Sequence, residues 1–123
     1  MTRRVLDIGN CGADQAAIRQ LIENNFDASV DHAERAADAL PMLGCAQYAI
    51  VLVNRKLDSD DSDGIEVIRE IKSRPEFKEL PVMMLTNFPE HQAAAIAAGA
   101  QEGFGKNSLS SPTTVELLRP YLQ

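Results

Sequence analysis

The sequence has no tryptophan, only two cysteines and no long hydrophobic run. Because a membrane-spanning helix needs about 20 apolar residues, the short apolar runs exclude a membrane protein, and no signal-like segment opens the chain. Cys11 and Cys45 lack the spacing of metal ligands or of a disulfide framework, so reduced thiols are expected. We therefore expect a cytoplasmic protein.

Basic residues are also scarce. Twelve lysines and arginines oppose 18 acidic residues, which gives a net charge of −6 and a pI near 4.8. The basic residues are scattered rather than gathered in a stripe, and this distribution disfavours direct binding to nucleic acid. With 45% hydrophobic residues, the 123-residue chain can bury one core, so we expect a single domain spanning 1–123.

What the sequence does contain is an alternation of short aliphatic runs with helical patterns, one unit about every 20 to 25 residues. This alternation predicts an α/β fold with a doubly wound, five-stranded parallel sheet. The predicted strands are 5–8, 28–30, 48–53, 82–85 and 103–105. Five helices are predicted. The first has the apolar face Ala16, Ala17, Leu21 and Ile22, and the third runs from Gly64 to before Pro75 with the buried stripe Ile65, Ile68 and Ile71. The second, fourth and fifth helices span 33–43, 90–98 and 112–122.

Proline positions refine two of these helices. Pro41 is expected to kink or shorten the last turn of the second helix, because proline lacks an amide and clashes with the preceding turn. Pro112 fits the first turn of the fifth helix, with Ser110 or Ser111 as its N-cap.

The residues that directly follow the predicted strands lie at the carboxyl edge of the sheet, where doubly wound folds place their chemistry. They are Gly9 and Asn10 after the first strand, Asn54 after the third, Thr86 after the fourth and Lys106 after the fifth. Further motifs, in order, are Asp63-Gly64, Leu80 to Thr86, Ala98-Gly99-Ala100 and Gly103 to Lys106. In this order and spacing, nearly the whole chain resembles a response-regulator receiver domain.

The resemblance implies a CheY-like, flavodoxin-like fold with strand order 2-1-3-4-5. It also implies a site in which an acidic pair holds Mg²⁺, an Asp accepts the phosphoryl group, and a Ser or Thr and a Lys assist. At the corresponding positions Gly9, Asn10 and Asn54 replace all three carboxylates. An amide has no anionic oxygen to attack phosphorus, and a hard cation prefers carboxylate oxygens. We therefore expect a degenerate receiver that has lost Mg²⁺, is not phosphorylated and is no enzyme.

The retained residues then need other roles. Thr86 is expected to end a strand, and Lys106 to hydrogen-bond Asn54 or loop carbonyls. Phe104 corresponds to the aromatic residue that swings inward in active receivers, and by itself it is expected to pack in the core.

Three further residues lie around the predicted site: Asn87 and Asn107 differ from the family, and Asp7 is a buried acid. Asn87 follows Thr86 where the family has a small residue, and it should crowd the mouth of the pocket. Asn107 replaces the Pro that follows a cis peptide bond in the family. Because a cis bond before a non-proline residue costs about 2.5–4 kcal/mol, the Lys106–Asn107 bond is predicted to be trans, with a remodelled loop 107–111. Asp7, in a central strand, must have a hydrogen-bonding or ionic partner.

The segment 58–64 carries four carboxylates and partly matches a calcium loop. The ligand-like positions are Asp61, Asp63, Gly64 and Glu70. Ser59 at the first ligand position and Glu66 at the usually apolar eighth position spoil the match. We expect a solvated acidic loop that caps the third helix, with weak cation binding by Asp61, Asp63 and Glu70 as the alternative.

Two other functions fit parts of the sequence. The segment Val5 to Gly12, with Asp31 one strand later, is similar to the glycine-rich motif and ribose-binding acid of S-adenosylmethionine-dependent methyltransferases. Its glycine spacing differs by one residue, and the match covers about a third of the chain. An unrelated flavodoxin-like ligand-binding module would need a pocket of convergent polar groups at the switch point.

The resemblance favours a protein-interaction module of two-component, phosphorelay signalling. Its partner would be a histidine kinase, an output domain or another receiver, with no direct contact to nucleic acid or membrane. A homodimer through helix 4, strand 5 and helix 5 is a further expectation. The surface that would serve comprises Phe88, His91, Gln92, Ile96, Phe104 and residues of 115–121.

Overall fold

The computed structural model describes residues 2–123, which form one sheet of five parallel strands flanked by helices on both faces. The strands are β1 Arg3–Ile8, β2 Ala28–Ala33, β3 Ile50–Asn54, β4 Val82–Leu85 and β5 Gln101–Phe104. The helices are α1 Gly12–Asn25, α2 Ala36–Cys45, α3 Gly64–Lys72, α4 Pro89–Ala97 and α5 Pro112–Leu122, with short 3₁₀ turns at Pro75–Phe77 and Lys106–Ser108. The strand order is β2-β1-β3-β4-β5. The predicted fold class and strand order are thereby confirmed.

Strand β3 is the centre of the sheet, and all five of its residues are buried. Val51 and Val53 pack with side chains of α2 and α3 on one face. Ile50 and Leu52 pack with side chains of α1 and α5 on the other. Because helices cover both faces, this strand is apolar throughout instead of alternating with polar residues.

Strand β2 is longer than the sequence predicted. It pairs with β1 along its whole length, from Arg3 opposite Ala28 to Ile8 opposite Ala33. Asp31 and His32 made the pattern polar and hid the second half of the strand. Consequently the predicted helix 33–43 starts too early, and α2 begins three residues later.

Two helix details also differ from prediction. The buried residues of α1 are Ile18 and Ile22, spaced one turn apart, whereas Ala16 of the predicted face is exposed. Pro41 does not shorten α2, which continues to Cys45. Ala37, whose carbonyl would accept the amide hydrogen that proline lacks, is on the exposed side and can bond to water.

The fifth helix follows its prediction. It spans Pro112–Leu122, and the Ser111 hydroxyl accepts a hydrogen bond from the Thr113 amide at 3.3 Å. Ser111 is therefore the cap, since it satisfies one of the free amides of the first turn.

Gln92 of α4 joins the last two strands, whose register shifts between Met83 and Leu85. Its Nε2 donates to the carbonyl of Met84 at 3.0 Å and to that of Thr86 at 3.3 Å, and its Oε1 accepts from the Gly103 amide at 2.9 Å. This side chain pairs main-chain groups that the irregular ladder leaves free. Its amide group is therefore engaged within the fold, although the side chain is only partly buried.

Gln92→Ala is expected to lower the free energy of unfolding by about 1–3 kcal/mol, because partly buried backbone groups lose their partners. Urea denaturation followed by circular dichroism measures this loss. Gln20→Ala, on the exposed side of α1, is the matched control and should change stability little. Equal stability of the two variants would contradict the role given to Gln92.

Candidate functional site

The site residues predicted from the sequence gather at the carboxyl edge of the sheet. Asn54, at the end of β3, is almost fully buried. Its Nδ2 donates to the Gly9 carbonyl at 3.2 Å and to the Lys56 carbonyl at 2.8 Å. The amide therefore ties the loop after β1 to the loop after β3. A carboxylate at the same position would present only acceptors to these two oxygens.

Gly9 is fixed by its backbone. Its φ is +81°, and a Cβ at this position would overlap the side chain of Leu57. Its amide donates to Ala33 at 2.8 Å, and its carbonyl accepts from the Asp58 amide at 2.9 Å as well as from Asn54. Because non-glycine residues rarely adopt this φ, an acidic side chain here would be strained.

Asn10 is the hydrogen-bonding partner of Asp7, which confirms that the buried acid has one. Asp7 is inaccessible to solvent, and its Oδ1 accepts from Asn10 Nδ2. His32, opposite Asp7 in the pairing of β1 with β2, places Nδ1 3.5 Å from Asp7 Oδ2. Burial raises the pKa of Asp7, and the Asn10 hydrogen bond and the nearby His32 oppose this rise. Asn10 is only three residues from Asp7 in the sequence, whereas His32 is brought beside Asp7 by the pairing of β1 with β2.

Lys106 does not bind Asn54 or loop carbonyls, and that prediction is wrong. Its Nζ lies 2.7 Å from Oδ2 of Asp14, in the first turn of α1. The same oxygen accepts a hydrogen bond from the Cys11 thiol at 3.3 Å. The hydrogen bond from Lys106 lowers the pKa of Asp14. Asp14 is a site residue that the sequence did not predict, because its only signal is its place as an acidic residue in the first turn of a helix.

Thr86 and Asn87 organise the two loops beyond β4 and β5. The Thr86 hydroxyl accepts from the Phe88 amide at 3.2 Å, just before α4. Asn87 Oδ1 accepts from the Asn107 amide at 3.1 Å. Asn87 therefore fastens one loop to the next.

The loop after β5 behaves as the sequence predicted. No peptide bond between residues 2 and 123 is cis, so the Lys106–Asn107 bond is trans. Lys106–Ser108 form a 3₁₀ turn at the start of the loop 107–111. Phe104 is 6% exposed and packs in the core, as predicted.

The acidic loop does not assemble the calcium ligands considered above. Asp60 accepts from the amide and hydroxyl of Ser62, and Glu70 lies 3.8 Å from Arg74. Asp63 stands at the N-cap of α3 but makes no side-chain capping hydrogen bond. Within the part of the chain that the structure describes, no group of three or more His, Cys, Asp or Glu side chains is arranged to hold a metal. Asp61, Asp63 and Glu70 are therefore not brought together as ligands.

The methyltransferase-like reading gains no support from Asp31. This residue lies within β2, opposite Leu6, and not at the carboxyl end of the strand. Its Oδ2 accepts from Tyr48 at 2.8 Å and from Arg4 at 2.6 Å. Burial, and then the hydrogen bond to Asp31, raise the pKa of Tyr48 to about 12, whereas the charge of Arg4 opposes this rise. The carboxylate is thus part of a structural triad.

Comparison with known proteins identifies the family. A model of the response regulator receiver domain matches residues 13–112. The chain therefore belongs to the response regulator receiver domain family, whose members serve two-component signalling. A search of curated proteins finds no significant match. No helix among residues 2–123 is long and apolar enough to cross a membrane.

Several solved structures share the fold. The chemotaxis response regulator CheY4 of Vibrio cholerae has a TM-score of 0.77 at 18% identity, over 99% of this chain and 100% of that one. The Mn²⁺-bound response regulator Rcp1 has a TM-score of 0.76 at 17% identity, over 98% and 95%. The receiver domain of a DNA-binding response regulator from Colwellia psychrerythraea 34H has a TM-score of 0.75 at 24% identity, over 95% and 98%. At these identities the likeness shows the fold alone.

Asn54→Asp is expected to lower the free energy of unfolding by about 1–3 kcal/mol at neutral pH in EDTA, because the Gly9 and Lys56 carbonyls lose their donor. Burial and these oxygens should raise the pKa of the new carboxyl in the folded state. A protonated carboxyl can donate again, so the loss should be small at low pH and grow as the pH rises through that raised pKa.

Urea denaturation at several pH values measures this dependence. Asn24→Asp, exposed in α1, is the matched control without such a dependence. A loss for Asn54→Asp that is the same at all pH values would contradict the donor role of Asn54.

Proposed function

We propose that this chain is a receiver domain that accepts no phosphoryl group and acts by binding another protein in two-component signalling. The observation that carries the proposal is the Asn54 amide, which donates to the carbonyls of Gly9 and Lys56 at the position of the phosphoacceptor. An amide lacks the anionic oxygen that attacks phosphorus. Here the amide also holds the two loops together, so its role is structural.

The residues present do not fit the Mg²⁺ that the family implies. Gly9 has no side chain, the Asn10 amide donates to Asp7, and the Asn54 amide donates to carbonyls. Mg²⁺ requires oxygen ligands and usually one or two carboxylates. We infer that this position binds no Mg²⁺, and no step of the proposed function depends on the ion.

The lysine that would assist phosphoryl transfer is also engaged elsewhere. Lys106 lies 2.7 Å from Asp14, and both side chains are about one-third exposed. An ion pair of this exposure contributes roughly 0–1 kcal/mol to stability. Its consequence is that the lysine charge is balanced by a carboxylate of α1 and is not free for a phosphoryl oxygen.

The phosphodonor test separates this proposal from an active receiver. The wild-type chain and Asn54→Asp, each mixed with Mg²⁺ and acetyl phosphate, are expected to show no phosphoryl mass shift. Asn54→Asp with Asn10→Asp should label, because two carboxylates then offer oxygen ligands for the cation. Gly9 stays unchanged, since its φ of +81° disfavours an acidic side chain.

A receiver with an intact acidic cluster serves as the positive control for the reagents. A stoichiometric acyl phosphate on the wild-type chain would overturn the proposal. Strong labelling of Asn54→Asp alone would show that the site has kept a working cation position.

The surface around α4 is the candidate for partner binding. Phe88 and Ile96 are the large hydrophobic residues that are most exposed among the described residues, at 54% and 47%. The ring of His91 packs edge-on against Phe88 with centroids 5.8 Å apart. An exposed aromatic or large aliphatic side chain can serve as an anchor for a protein partner. The occupant would be a histidine kinase, an output domain, another receiver or a second copy of the chain. Because phosphorylation is absent, regulation would come from partner binding or abundance.

Phe88→Ser with Ile96→Ser is expected to weaken self-association, or binding to a cognate kinase, by about tenfold or more, because loss of buried aromatic anchors costs about 2 kcal/mol or more. Sedimentation velocity measures self-association, and calorimetry measures binding to the kinase. Ala93→Ser, exposed on the same helix, is the control. Unchanged association of the double variant in both assays would exclude this surface.

A further inference from the structure

A group of buried polar atoms adjoins the degenerate site and shares only Asn10 with it. Asp7 Oδ2, Asn10 Oδ1 and His32 Nδ1 are all buried, and no hydrogen-bond partner for them exists within residues 2–123. Asp7 is completely inaccessible to solvent, and Asn10 is 3% exposed. Buried polar groups are normally paired, so this concentration requires an explanation.

These three side chains belong to one cluster. Asn10 Nδ2 donates to Asp7 Oδ1, and His32 Nδ1 lies 3.5 Å from Asp7 Oδ2. The cluster therefore combines a carboxylate oxygen, an imidazole nitrogen and an amide oxygen. A carboxylate and an amide oxygen can only accept, and a neutral imidazole nitrogen can also accept. When the imidazole hydrogen is on Nε2, all three atoms are acceptors, and their missing partner is a donor or a cation.

A pocket of about 170 Å³ adjoins the cluster at the carboxyl edge of the sheet. Asn10 and His32 line this pocket, together with Glu34, Asp58 and Ser59. His32 lines the pocket and has 21% of its side chain exposed, whereas the side chain of Asp7 is fully buried and does not line the pocket. Two carboxylates at the rim favour a positively charged ligand over an anion.

We propose that Asp7, His32 and Asn10 form a binding site for a divalent transition-metal ion, with Zn²⁺ as the ion to be tested. Two ligands bonded to one tetrahedral ion at about 2.0–2.1 Å lie roughly 3.4 Å apart. The distance of 3.5 Å between Asp7 Oδ2 and His32 Nδ1 matches this separation. It is long for a direct hydrogen bond between the same atoms.

The ligand chemistry distinguishes this site from the Mg²⁺ position of the family. An imidazole nitrogen suits Zn²⁺ and its transition-metal neighbours, whereas Mg²⁺ prefers oxygen ligands. Asn54 and Lys106 are not members of the cluster. A dication would also favour the charged form of Asp7, whose pKa burial raises. The site therefore goes beyond the proposed function and does not restore phosphotransfer.

Titration of the purified chain with ZnCl₂ tests the site by isothermal calorimetry and by the shift in Tm. We expect binding of one ion, a higher Tm, and a change in the NMR signals of the His32 ring. MgCl₂ at the same concentration should produce none of these. His32→Gln should weaken Zn²⁺ binding by at least about tenfold.

Three controls exclude other ligands and misfolding. The chain has two histidines, so His91→Gln, on α4, should bind Zn²⁺ as the wild type does. Cys11→Ser with Cys45→Ser should also bind normally, since thiols are not ligands in the proposed site. Circular dichroism of His32→Gln verifies its fold, which avoids dependence on a variant of the fully buried Asp7.

The proposal is overturned if Zn²⁺ gives neither heat nor a Tm shift with the wild type, which would leave Asp7 and His32 as a simple ion pair. It is also overturned if His32→Gln binds as tightly as the wild type, or if His91→Gln or the cysteine-free variant loses binding. The phosphodonor experiment uses Mg²⁺ and a mass shift, so failure of one proposal is distinguishable from failure of the other.

Discussion

The hydrogen bonds of the Asn54 amide are the interaction on which the carboxyl edge of the sheet depends. One nitrogen donates to the carbonyls of Gly9 and Lys56, and the bond to Gly9 joins residues that are 45 positions apart in sequence. Gly9 must keep a positive φ for its carbonyl to be in this place. A group that donates here stabilises the arrangement of the two loops without a bound ligand. An acceptor would place its oxygens against the two carbonyl oxygens and would require a cation between them.

The neighbouring charges are balanced within the fold in the same way. Lys106 pairs with Asp14, and Asn10 donates to Asp7. These side chains contact one another directly, and under the function proposed above a change of conformation comes from a partner that binds two states unequally.

The predicted docking surface, near β5 at the edge of the sheet, contains both residues that are engaged within the fold and residues that are exposed. Gln92 turns inward to pair with main-chain groups of β4 and β5, and Phe104 is buried in the core. Phe88 and Ile96 remain outside. The large hydrophobic residues that this surface exposes are therefore Phe88, just before α4, and Ile96 within α4.

The sequence by itself determined the fold class, the number of βα units and the chemical character of each strand end. These properties are local: apolar periodicity defines each element, and the residue type after a strand is read directly. Asn54 at the end of β3 and the span of α5 could be predicted for this reason. Only the tertiary structure decided which side chains meet. The pairing of Lys106 with Asp14, of His32 with Asp7 and of Gln92 with two strands joins residues distant in sequence, and their contacts depend on strand register and helix packing. The true length of β2 was hidden for the same reason, because Asp31 and His32 become acceptable in a strand only when Tyr48, Arg4 and Asp7 lie beside them.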